Sequence, residues 1–436
     1  MRTFDVVVIG GGILGVCVSY VASCLGLRVC VLERESDVAQ HSSSRNTGVV
    51  HRPFYLNPET KRIFAIAAQR SYSPLQEICN AFHLPWCQNG TLEVATKEEQ
   101  VEKLKQYAIW AKQNGMNEQE FEIVYQSELG KMEEGVKGYG AFYSKKDTNT
   151  DFGQITKSIA KISQRLGTTF LFNTQAISIS CGVVKTQASE LKGFVINVAG
   201  GEALRLAQTE GVAHKFAQLH FRGDYWVLHE KIAKSFKRNI YTVPRYSKFP
   251  FLDPHIIKRP NGNTEIGPNA FLVRTPYSYK GTLSALFANA LGSGSGSVSK
   301  RLKLFLNREF LSLVASDWLT SISKRYIAKR VSAFAPALSH KHFVGRGVSG
   351  IRHNLIDQNG FVPEAVLIQT ENSFHVLNYN SPGATGSAWF AASIVKRLVN
   401  TGFLNAKKGV TPPFWKSLIE EDEGWKELRV IFKNLR

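Results

Sequence analysis

Residues 4–33, FDVVVIGGGILGVCVSYVASCLGLRVCVLE, contain the pattern that decides the fold. Residues 4–9 form a run rich in β-branched side chains, which predicts a buried parallel strand. The glycine-rich residues 10–15 follow at once and open an apolar helical stretch that continues to about Leu27. A second β-branched run then ends at Glu33, 23 residues after the first glycine. Together these features predict a βαβ unit of a doubly wound α/β sheet.

Three glycines in this segment have separate physical tasks in binding a dinucleotide. Gly10 permits a tight turn after the strand, Gly12 lets the backbone approach a pyrophosphate, and Gly15 lets the helix pack closely on the strand. The helix N-terminus presents unpaired N–H groups to the phosphates, and Glu33 is placed to accept hydrogen bonds from the adenosine ribose. The sequence therefore predicts a dinucleotide site, but this pattern does not choose between NAD and FAD.

Later segments also have the composition of a cofactor site. Residues 41–51, HSSSRNTGVVH, are dense in hydrogen-bond donors and small side chains. They suit either a polar loop or a wrap around a pyrophosphate, with His51 near the reactive ring. Residues 194–201 predict a buried strand that ends in glycines, where a parallel sheet meets its cofactor. Residues 378–387, NYNSPGATGS, lead into a predicted helix over 388–400.

The predicted elements form βαβ patterns at both ends of the chain, with an antiparallel-type insertion between them. Strands are predicted at 90–95, 168–172, 176–180 and 373–377, helices at 97–114 and 152–166, and a mostly β region at 216–275. This order predicts a mixed α/β and α+β fold, in which a Rossmann-like, glutathione-reductase-like cofactor-binding domain carries a discontinuous antiparallel-sheet substrate domain. The cofactor-binding domain is assigned residues 1–82, 142–215 and 334–405, the substrate-binding domain 83–141 and 216–333, and the C-terminal tail 406–436.

The composition indicates a globular chain with a strong positive charge. Of 436 residues, 43% are hydrophobic and 20% are charged, which excludes collagen-like and wholly disordered chains. No apolar run is long enough for a transmembrane helix and the first residues lack a signal-peptide pattern, so we expect a cytoplasmic protein. The net charge is +19, concentrated in residues 214–260 and 300–346. An anionic substrate, an anionic membrane, nucleic acid or a solvated basic surface would each account for it.

The second basic region contains a predicted amphipathic helix. Residues 298–330 mix basic side chains with apolar ones. Leu306, Phe310, Leu313 and Val314 fall on one helical face. Basic amphipathic helices of this kind lie in membrane interfaces, which predicts a peripheral contact with the anionic inner face of the membrane. The alternative is that this face packs on the substrate domain.

Cysteine and histidine spacings do not indicate a metal site. The six cysteines contain no C-x-x-C pair and no zinc-type spacing, so we expect free thiols. His340 and His342 have no third candidate ligand near them in the sequence. We therefore predict no metal.

Nine segments resemble FAD-dependent oxidoreductases of the D-amino-acid-oxidase superfamily, and within it most closely the L-2-hydroxyglutarate oxidases and dehydrogenases. They are VVVIGGGILG (6–15), SRNTGVVH (44–51), NGTLEVAT (89–96), VINVAGG (195–201), FRGDYWVL (221–228), VPRYSKFPFLDPHIIK (243–258), EIGPNAFL (265–272), SGIRHNLID (349–357) and NYNSPGATGS (378–387). The resemblance implies FAD as cofactor, hence an FAD-binding first domain. It also implies a small anionic 2-hydroxy acid as substrate, most closely L-2-hydroxyglutarate, and quinone or oxygen as electron acceptor. No nucleic-acid partner is expected.

The resemblance also implies a set of cofactor-binding residues. The matching positions are Gly10, Gly12, Ile13, Leu14, Gly15, Glu33, Arg34, Ser44, Arg45, Asn46, Thr47, Gly48, Ala199, Gly200, Gly350, Ser381, Pro382, Gly383, Ala384 and Thr385. The chain departs from the family pattern at Thr47, at the Asp253-Pro254 pair before His255, and at Tyr379, where the family has a small residue. These departures concern the substrate more than the cofactor.

Oxidation of an alcohol or amine by a flavin needs a group that takes a proton and a cation that fixes the substrate. Arg352 matches the superfamily position that grips a substrate carboxylate, for which the bidentate guanidinium is suited. His51 and His255 are the candidate bases, since an imidazole with an ordinary pKa of about 6.5 accepts a proton at neutral pH. Either could instead be structural. The candidates for holding a second carboxylate are Arg245, Lys258 and Arg274.

Other functions stay open on the same fold. One is an FAD-dependent amino-acid or amine oxidase, and another is a malate- or glycerol-3-phosphate-type dehydrogenase that passes electrons to quinone. A flavoprotein that binds nucleic acid and a catalytically inactive flavin-binding partner protein belong to different classes. The sequence does not choose between covalent and non-covalent FAD.

Overall fold

The computed structural model describes residues 1–245, 249, 253–280, 307–407 and 409–420. Its strands are numbered β1 to β22 and its α-helices α1 to α11 along the chain. The helices of this described part are α1 (Ile13–Cys24), α2 (Arg62–Ala81), α3 (Val101–Gln113), α4 (Gln126–Met132), α5 (Phe152–Arg165), α6 (Ala203–Thr209), α7 (Glu230–Ala233), α8 (Arg308–Ile322), α9 (Lys324–Val331), α10 (Ser387–Asn400) and α11 (Lys416–Glu420).

The first sheet is the doubly wound unit that the N-terminal pattern predicts. Its strand order is β21 (Val366–Gln369), β22 (Ser373–Leu377), β11 (Glu190–Asn197), β1 (Arg2–Ile9), β2 (Val29–Leu32) and β8 (Thr169–Leu171), with β9 (Ala176–Ser180) and β10 (Val183–Thr186) added beside β11. Strand β1 pairs in parallel with β2 on one side and with β11 on the other. Helix α1 packs against α5 and α10, and their apolar faces form one core with that of α2. This arrangement confirms the predicted βαβ unit.

Two further sheets are mainly antiparallel. One has the order β18 (Phe343–Arg346), β13 (Trp226–Leu228), β16 (Thr264–Gly267), β15 (His255–Lys258), β14 (Asn239–Thr242), β4 (Thr91–Ala95), β6 (Gly140–Ser144) and β5 (Phe121–Tyr125). The other has the order β17 (Phe271–Val273), β12 (Ala217–Gly223), β19 (Gly350–Asp357) and β20 (Gly360–Phe361). Only β14 and β4 pair in parallel within these two described sheets. A two-stranded sheet joins β3 (Val49–Val50) to β7 (Thr148–Asn149).

The division of the chain between the sheets differs in detail from the predicted domain boundaries. Strand β6 spans the predicted boundary at 141/142. Strands β18 and β19 lie in the segment assigned to the FAD-binding domain, yet they pair with β13 and β12 of the substrate segment. The first sheet resumes only at β21. Strand pairing is non-local, so the sequence around 334 does not show which sheet a strand joins. We propose a boundary near residue 366 in place of 334.

The described part of the C-terminal tail docks on the first domain through one tryptophan. Trp415 is 1% exposed. Its indole N–H donates to the Pro74 carbonyl at 2.8 Å, and its ring meets the edge of Tyr20 at a centroid distance of 5.2 Å. Residues 409–420 therefore add to the core of helices α1 and α2.

The apolar face of the basic amphipathic helix, which was predicted to contact a membrane, packs inside the protein instead. Phe310, Leu313 and Val314 of α8 are buried in a core with strands β12 and β17, so the prediction that this face is free for a membrane was wrong. Leu306 and the basic residues at 300, 301 and 303 lie outside the described residues. In the part of the chain that the structure describes, no helix is both long and apolar enough to cross a membrane.

Candidate active site

A cavity of about 350 Å³ lies where the carboxyl ends of β1, β2 and β11 meet strands β12 and β19. The edge formed by the carboxyl ends of parallel strands is where doubly wound sheets bind their ligands. Side chains from the parallel sheet line one part of the cavity, and side chains from the antiparallel sheets line the other. The cavity therefore joins the two chemistries that the sequence predicts, cofactor binding and substrate binding.

The glycines of the first turn leave space that side chains would fill. Gly10 has a φ of +113°, and a Cβ atom there would lie 2.8 Å from the Val198 carbonyl oxygen. A Cβ on Gly15 would overlap the carbonyl oxygen of Gly10. Gly12 lines the cavity, and a Cβ there would have only Ser43 Oγ as a neighbour, at 3.3 Å. The backbone at Gly12 thus forms a cradle open to the cavity, which fits a pyrophosphate.

The start of helix α1 and Glu33 have the polarity of a nucleotide site. Gly12 is the N-cap of α1, without a side-chain cap and without an acidic residue in the first turn, so the helix end favours an anion. Glu33 is 7% exposed. Its carboxylate accepts the N–H of Gly11 at 2.7 Å and that of Glu35 at 2.9 Å. Each carboxylate oxygen keeps lone-pair capacity for a ribose hydroxyl. The residues present therefore fit an adenine dinucleotide.

Most of the predicted cofactor residues line this cavity. They are Gly10, Gly12, Ile13, Leu14, Glu33, Arg34, Arg45, Asn46, Thr47, Ala199, Gly200, Gly350, Ser381, Pro382, Gly383, Ala384 and Thr385. Gly15, Ser44 and Gly48 do not line it. Ser44 donates to the His41 carbonyl at 3.3 Å, and Gly48 has a φ of +76° beside Thr150. These three residues shape the turn and the loop around the cavity.

His51 also lines the cavity, and a buried carboxylate orients its ring. His51 Nδ1 lies 3.1 Å from Asp147 Oδ2, and Asp147 is completely buried. The other oxygen of Asp147 accepts the N–H of Arg52 at 3.0 Å and the hydroxyl of Ser144 at 2.5 Å. Because Nδ1 faces the carboxylate, Nε2 is the nitrogen left to act as a proton acceptor. Asp147 lies in a loop without any motif, so sequence analysis missed it.

His255 lies in a second layer behind His51. It does not line the cavity, and its ring stacks on Tyr241 at a centroid distance of 4.0 Å. The Tyr241 hydroxyl in turn lies 3.5 Å from His51 Nε2. The His255 Nδ1–H donates to the Asp253 carbonyl at 3.1 Å, and Nε2 has no hydrogen-bond partner among the described residues. Burial lowers the pKa of His255 well below its usual value, so the ring is neutral.

Arg352 extends from β19 into the same cavity. Its strand pairs with β12, with Arg352 opposite Phe221. Burial lowers the pKa of Arg352, and the hydroxyls of Tyr225, Tyr55 and Tyr241 act in the opposite direction. A cation surrounded by tyrosines in a sheltered cavity suits an anionic group of a substrate.

The three basic residues predicted to hold a second carboxylate lie away from the cavity lining. Arg245 Nε is 2.7 Å from Asp253 Oδ1. The Lys258 ammonium donates to Thr264 Oγ1 at 2.9 Å and to the Ala233 carbonyl. Arg274 follows β17 and is not among the lining residues. The structure therefore does not bring any of these residues into the cavity beside Arg352.

Lys61 is a basic residue near Arg352 that sequence analysis missed. It precedes helix α2. Burial is the main cause that lowers the pKa of its ammonium, and the positive charge of Arg352 lowers it further. The Glu364 carboxylate raises the pKa of Lys61 and accepts the N–H of Ile63 at 2.8 Å. No local pattern marks Lys61, since only the tertiary fold brings it near β19.

The chain is similar to named proteins over most of its length. It is 27% identical over 417 residues to the mitochondrial L-2-hydroxyglutarate dehydrogenase of Homo sapiens, covering 88% of this chain and 86% of that protein. It is 26% identical over 412 residues to the L-2-hydroxyglutarate dehydrogenase of Escherichia coli K12, covering 91% of this chain and 93% of the relative.

Solved structures share the fold at lower identity. The FAD-bound, dithionite-reduced L-alpha-glycerophosphate oxidase of Mycoplasma pneumoniae has a TM-score of 0.71 at 20% identity, covering 95% of this chain and 98% of that one. Glycine oxidase of Geobacillus kaustophilus has a TM-score of 0.67 at 15% identity, with the same coverage.

The sequence profile of the FAD-dependent oxidoreductase family DAO matches residues 5–397, which include every strand of the parallel sheet from β2 to β22 and the whole cavity lining. The match agrees with the glycine cradle and with the pairing of a parallel sheet to an antiparallel one. This chain belongs to the DAO family of FAD-dependent oxidoreductases.

Proposed function

We propose that this protein oxidises a small L-2-hydroxy acid, most closely L-2-hydroxyglutarate, to the corresponding 2-oxo acid. The observation that carries the proposal is the presence of Arg352 and His51 in one cavity with the cofactor-binding glycines. The similarity to L-2-hydroxyglutarate dehydrogenases over most of the chain supports this choice of substrate.

Arg352 has the role of binding the substrate carboxylate. A guanidinium can hold a carboxylate through two parallel hydrogen bonds, which fixes the orientation of the neighbouring C2 carbon. Bound FAD supplies the acceptor for the hydride from that carbon. Because burial already disfavours the charge on Arg352, an anion that neutralises it gains more here than it would in water.

His51 has the role of accepting the hydroxyl proton at Nε2. Asp147 is a positioning residue, since it holds Nδ1 and stabilises the imidazolium that forms. The pKa of Tyr241 is raised well above its usual value by burial, so its hydroxyl stays protonated and can donate to Nε2 in the resting site. Substrate binding then replaces this long contact with the substrate hydroxyl.

We propose Lys61 as the partner of the second carboxylate of a dicarboxylic substrate. Burial disfavours its charge, and the neighbouring Arg352 disfavours it further. A second carboxylate near both cations would relieve that cost. Like Arg245 and Lys258, Lys61 is not among the residues that line the cavity. Lys61 is preferred because the charge of Arg352 acts on it, whereas Arg245 and Lys258 have protein partners.

A peripheral membrane contact through α8 is a second part of the proposal. Opposite the buried face of this helix, Leu311, Leu319 and Ile322 are 45%, 38% and 46% exposed. Arg325 and Lys329 of the adjoining α9 are also exposed. Apolar side chains flanked by cations suit an anionic bilayer surface, from which a quinone would take the electrons. Oxygen is the alternative acceptor.

We expect L-2-hydroxyglutarate to bleach the flavin of the holoenzyme under anaerobic conditions and L-glutamate to leave it oxidised. The measurement is stopped-flow absorbance with a panel of 2-hydroxy and 2-amino acids. Reduction by L-glutamate or glycine without reduction by any hydroxy acid would replace the proposal with an amino-acid oxidase.

Arg352→Ala is expected to lower kcat/KM for L-2-hydroxyglutarate, because the substrate carboxylate would lose its buried cationic partner. The expected loss of transition-state binding free energy is about 2–5 kcal/mol. The substituted enzyme should retain FAD. Arg274→Ala serves as the matched control, since Arg274 lies outside the cavity lining. If Arg352→Ala left kcat/KM unchanged, Arg352 would not be the residue that binds the substrate carboxylate.

Asp147→Asn is expected to lower kcat roughly 100-fold or more, as the base loses its orienting carboxylate. The KM for L-2-hydroxyglutarate should change far less than kcat, because Asp147 does not line the cavity. Asp151→Asn is the control, since Asn also caps a helix and Asp151 caps α5. A rise in KM as large as the fall in kcat, or a loss of FAD, would indicate only a structural role for Asp147.

Holoenzyme is expected to co-sediment with anionic phosphatidylglycerol vesicles at low salt and to be released at high salt. Arg325→Glu with Lys329→Glu should abolish the binding. The control is Lys185→Glu with Lys192→Glu, the same charge change on exposed residues of β10 and β11. Equal binding by both variants would exclude this surface of α8 and α9.

A further inference from the structure

A short segment that follows β17 leaves the antiparallel sheet and reaches the cofactor cavity. We name residues 275–279 the strap. Its turn is built from its own hydrogen bonds: the Tyr277 N–H donates to Thr275 Oγ1 at 3.3 Å, the Tyr279 N–H donates to the Tyr277 carbonyl at 2.9 Å, and the Thr275 and Ser278 hydroxyls are 2.8 Å apart. These hydrogen bonds give the strap a defined shape.

Tyr277 contacts the cofactor loop through Arg34. The Arg34 guanidinium carbon lies 3.8 Å from the centroid of the Tyr277 ring, a close cation–π contact. Burial raises the pKa of Tyr277, and the nearby Glu202 carboxylate raises it further. Arg34, Tyr277 and Glu202 all line the cavity. The ring thus bridges the loop after β2 and the turn after β11.

Tyr279 makes a second attachment to the same loop. Its hydroxyl is 2.9 Å from His41 Nδ1, and the two rings stack with an interplanar angle of 11°. The Arg45 guanidinium carbon is 4.3 Å from the Tyr279 ring centroid. His41 is held from its other nitrogen by Glu35, at 2.9 Å. Two tyrosines two residues apart are therefore both anchored to residues 34–45.

Gly201, in the turn after β11, leaves the space against which the strap packs. A Cβ atom on Gly201 would lie 2.5 Å from the Cβ of Pro276 and 2.9 Å from Cε1 of His353. Any side chain at 201 would therefore push the strap away from the turn after β11. The close approach requires glycine at this position, which is independent of the aromatic contacts.

The strap lies at the adenosine end of the cofactor site. Glu33 marks that end, because an acid at the close of the second strand faces the adenosine ribose in this fold. Arg34 is the next residue, and Pro276 and Tyr277 line the cavity with it. We propose that the strap holds the adenosine half of bound FAD, with Tyr277 as its outer wall, and that FAD leaves only when the strap lifts.

This proposal depends on the FAD chemistry of the family and not on the substrate. The contacts that close the strap are cation–π pairs, hydrogen bonds and one close backbone approach, all of which can break without unfolding a sheet. The aromatic contacts join the antiparallel part of the molecule to the cofactor loop, and the close approach at Gly201 joins it to the turn after β11. A strap of this kind would slow the release of an FAD that is not covalently attached.

Tyr277→Ala is expected to speed FAD release roughly tenfold or more, because the outer wall is lost. The holoenzyme is diluted into FAD-free buffer and the recovery of FAD fluorescence is followed without substrate. Tyr277→Phe should release FAD at nearly the wild-type rate, since it keeps the ring. Gly201→Ala should release FAD faster although it removes no aromatic contact. Equal release from wild type and Tyr277→Ala, including no release from either, would overturn the proposal.

Titration of each apoprotein with FAD and with FMN separates a local role from a general loss of fold. FMN lacks adenosine, so Tyr277→Ala should bind FMN as wild type does while its affinity for FAD falls roughly tenfold. Tyr139→Ala, at an exposed tyrosine before β6, is the matched control and should change neither affinity. An equal loss of affinity for FMN and FAD would show that Tyr277 supports only the fold, and the proposal would fail.

Discussion

The parallel pairing of β1 with β2 on one side and β11 on the other is the constraint on which the site depends. Strands that run in parallel bring their carboxyl ends to one edge, so the turn at Gly10, the acid at Glu33 and the turn at Ala199 meet there although they are far apart in the chain. A side chain at Gly10 or Gly15 would clash with neighbouring backbone atoms and displace this strand pairing. The cofactor cradle thus follows from the packing of three strands. The remaining sheets supply the side chains that line the rest of the cavity.

The antiparallel part contributes a cation, a hydroxyl and a carboxylate from residues that have no local relation to each other. Arg352 comes from β19, Tyr241 from β14 and Asp147 from the turn between β6 and β7. Asp147 is fixed by a backbone N–H and a hydroxyl before it reaches the His51 ring. Such a dyad is preorganised, because the carboxylate does not have to reorient when the imidazole takes a proton. Behind this dyad, the neutral His255 stacks on Tyr241.

Local patterns predicted the parts of this molecule that local chemistry determines. The βαβ unit, the glycine turn and the acid at 33 follow from spacing alone, His51 followed from the composition of the loop at 41–51, and Arg352 followed from the family resemblance. Asp147, Lys61 and the two tyrosines of the strap have no local signature, because only tertiary packing gives them partners. The buried face of α8 was predicted as a free surface since periodicity identifies an apolar face but not what covers it. Arg245 and Lys258 were counted as basic residues, and their protein partners become visible only in the folded chain.

The order of the strands in the first sheet has a consequence for how the chain is made. Strand β1 comes from the first residues, whereas β22, the neighbour of β11, comes from residues 373–377. The sheet therefore cannot be completed while the chain emerges from the ribosome until nearly all of it has been synthesised. During that time β11 exposes the apolar edge that later pairs with β22, and an unpaired edge of this kind is a site of misassembly. Nascent chains of this protein should therefore depend on holding chaperones for longer than a domain in which every strand pairs with a neighbour in sequence.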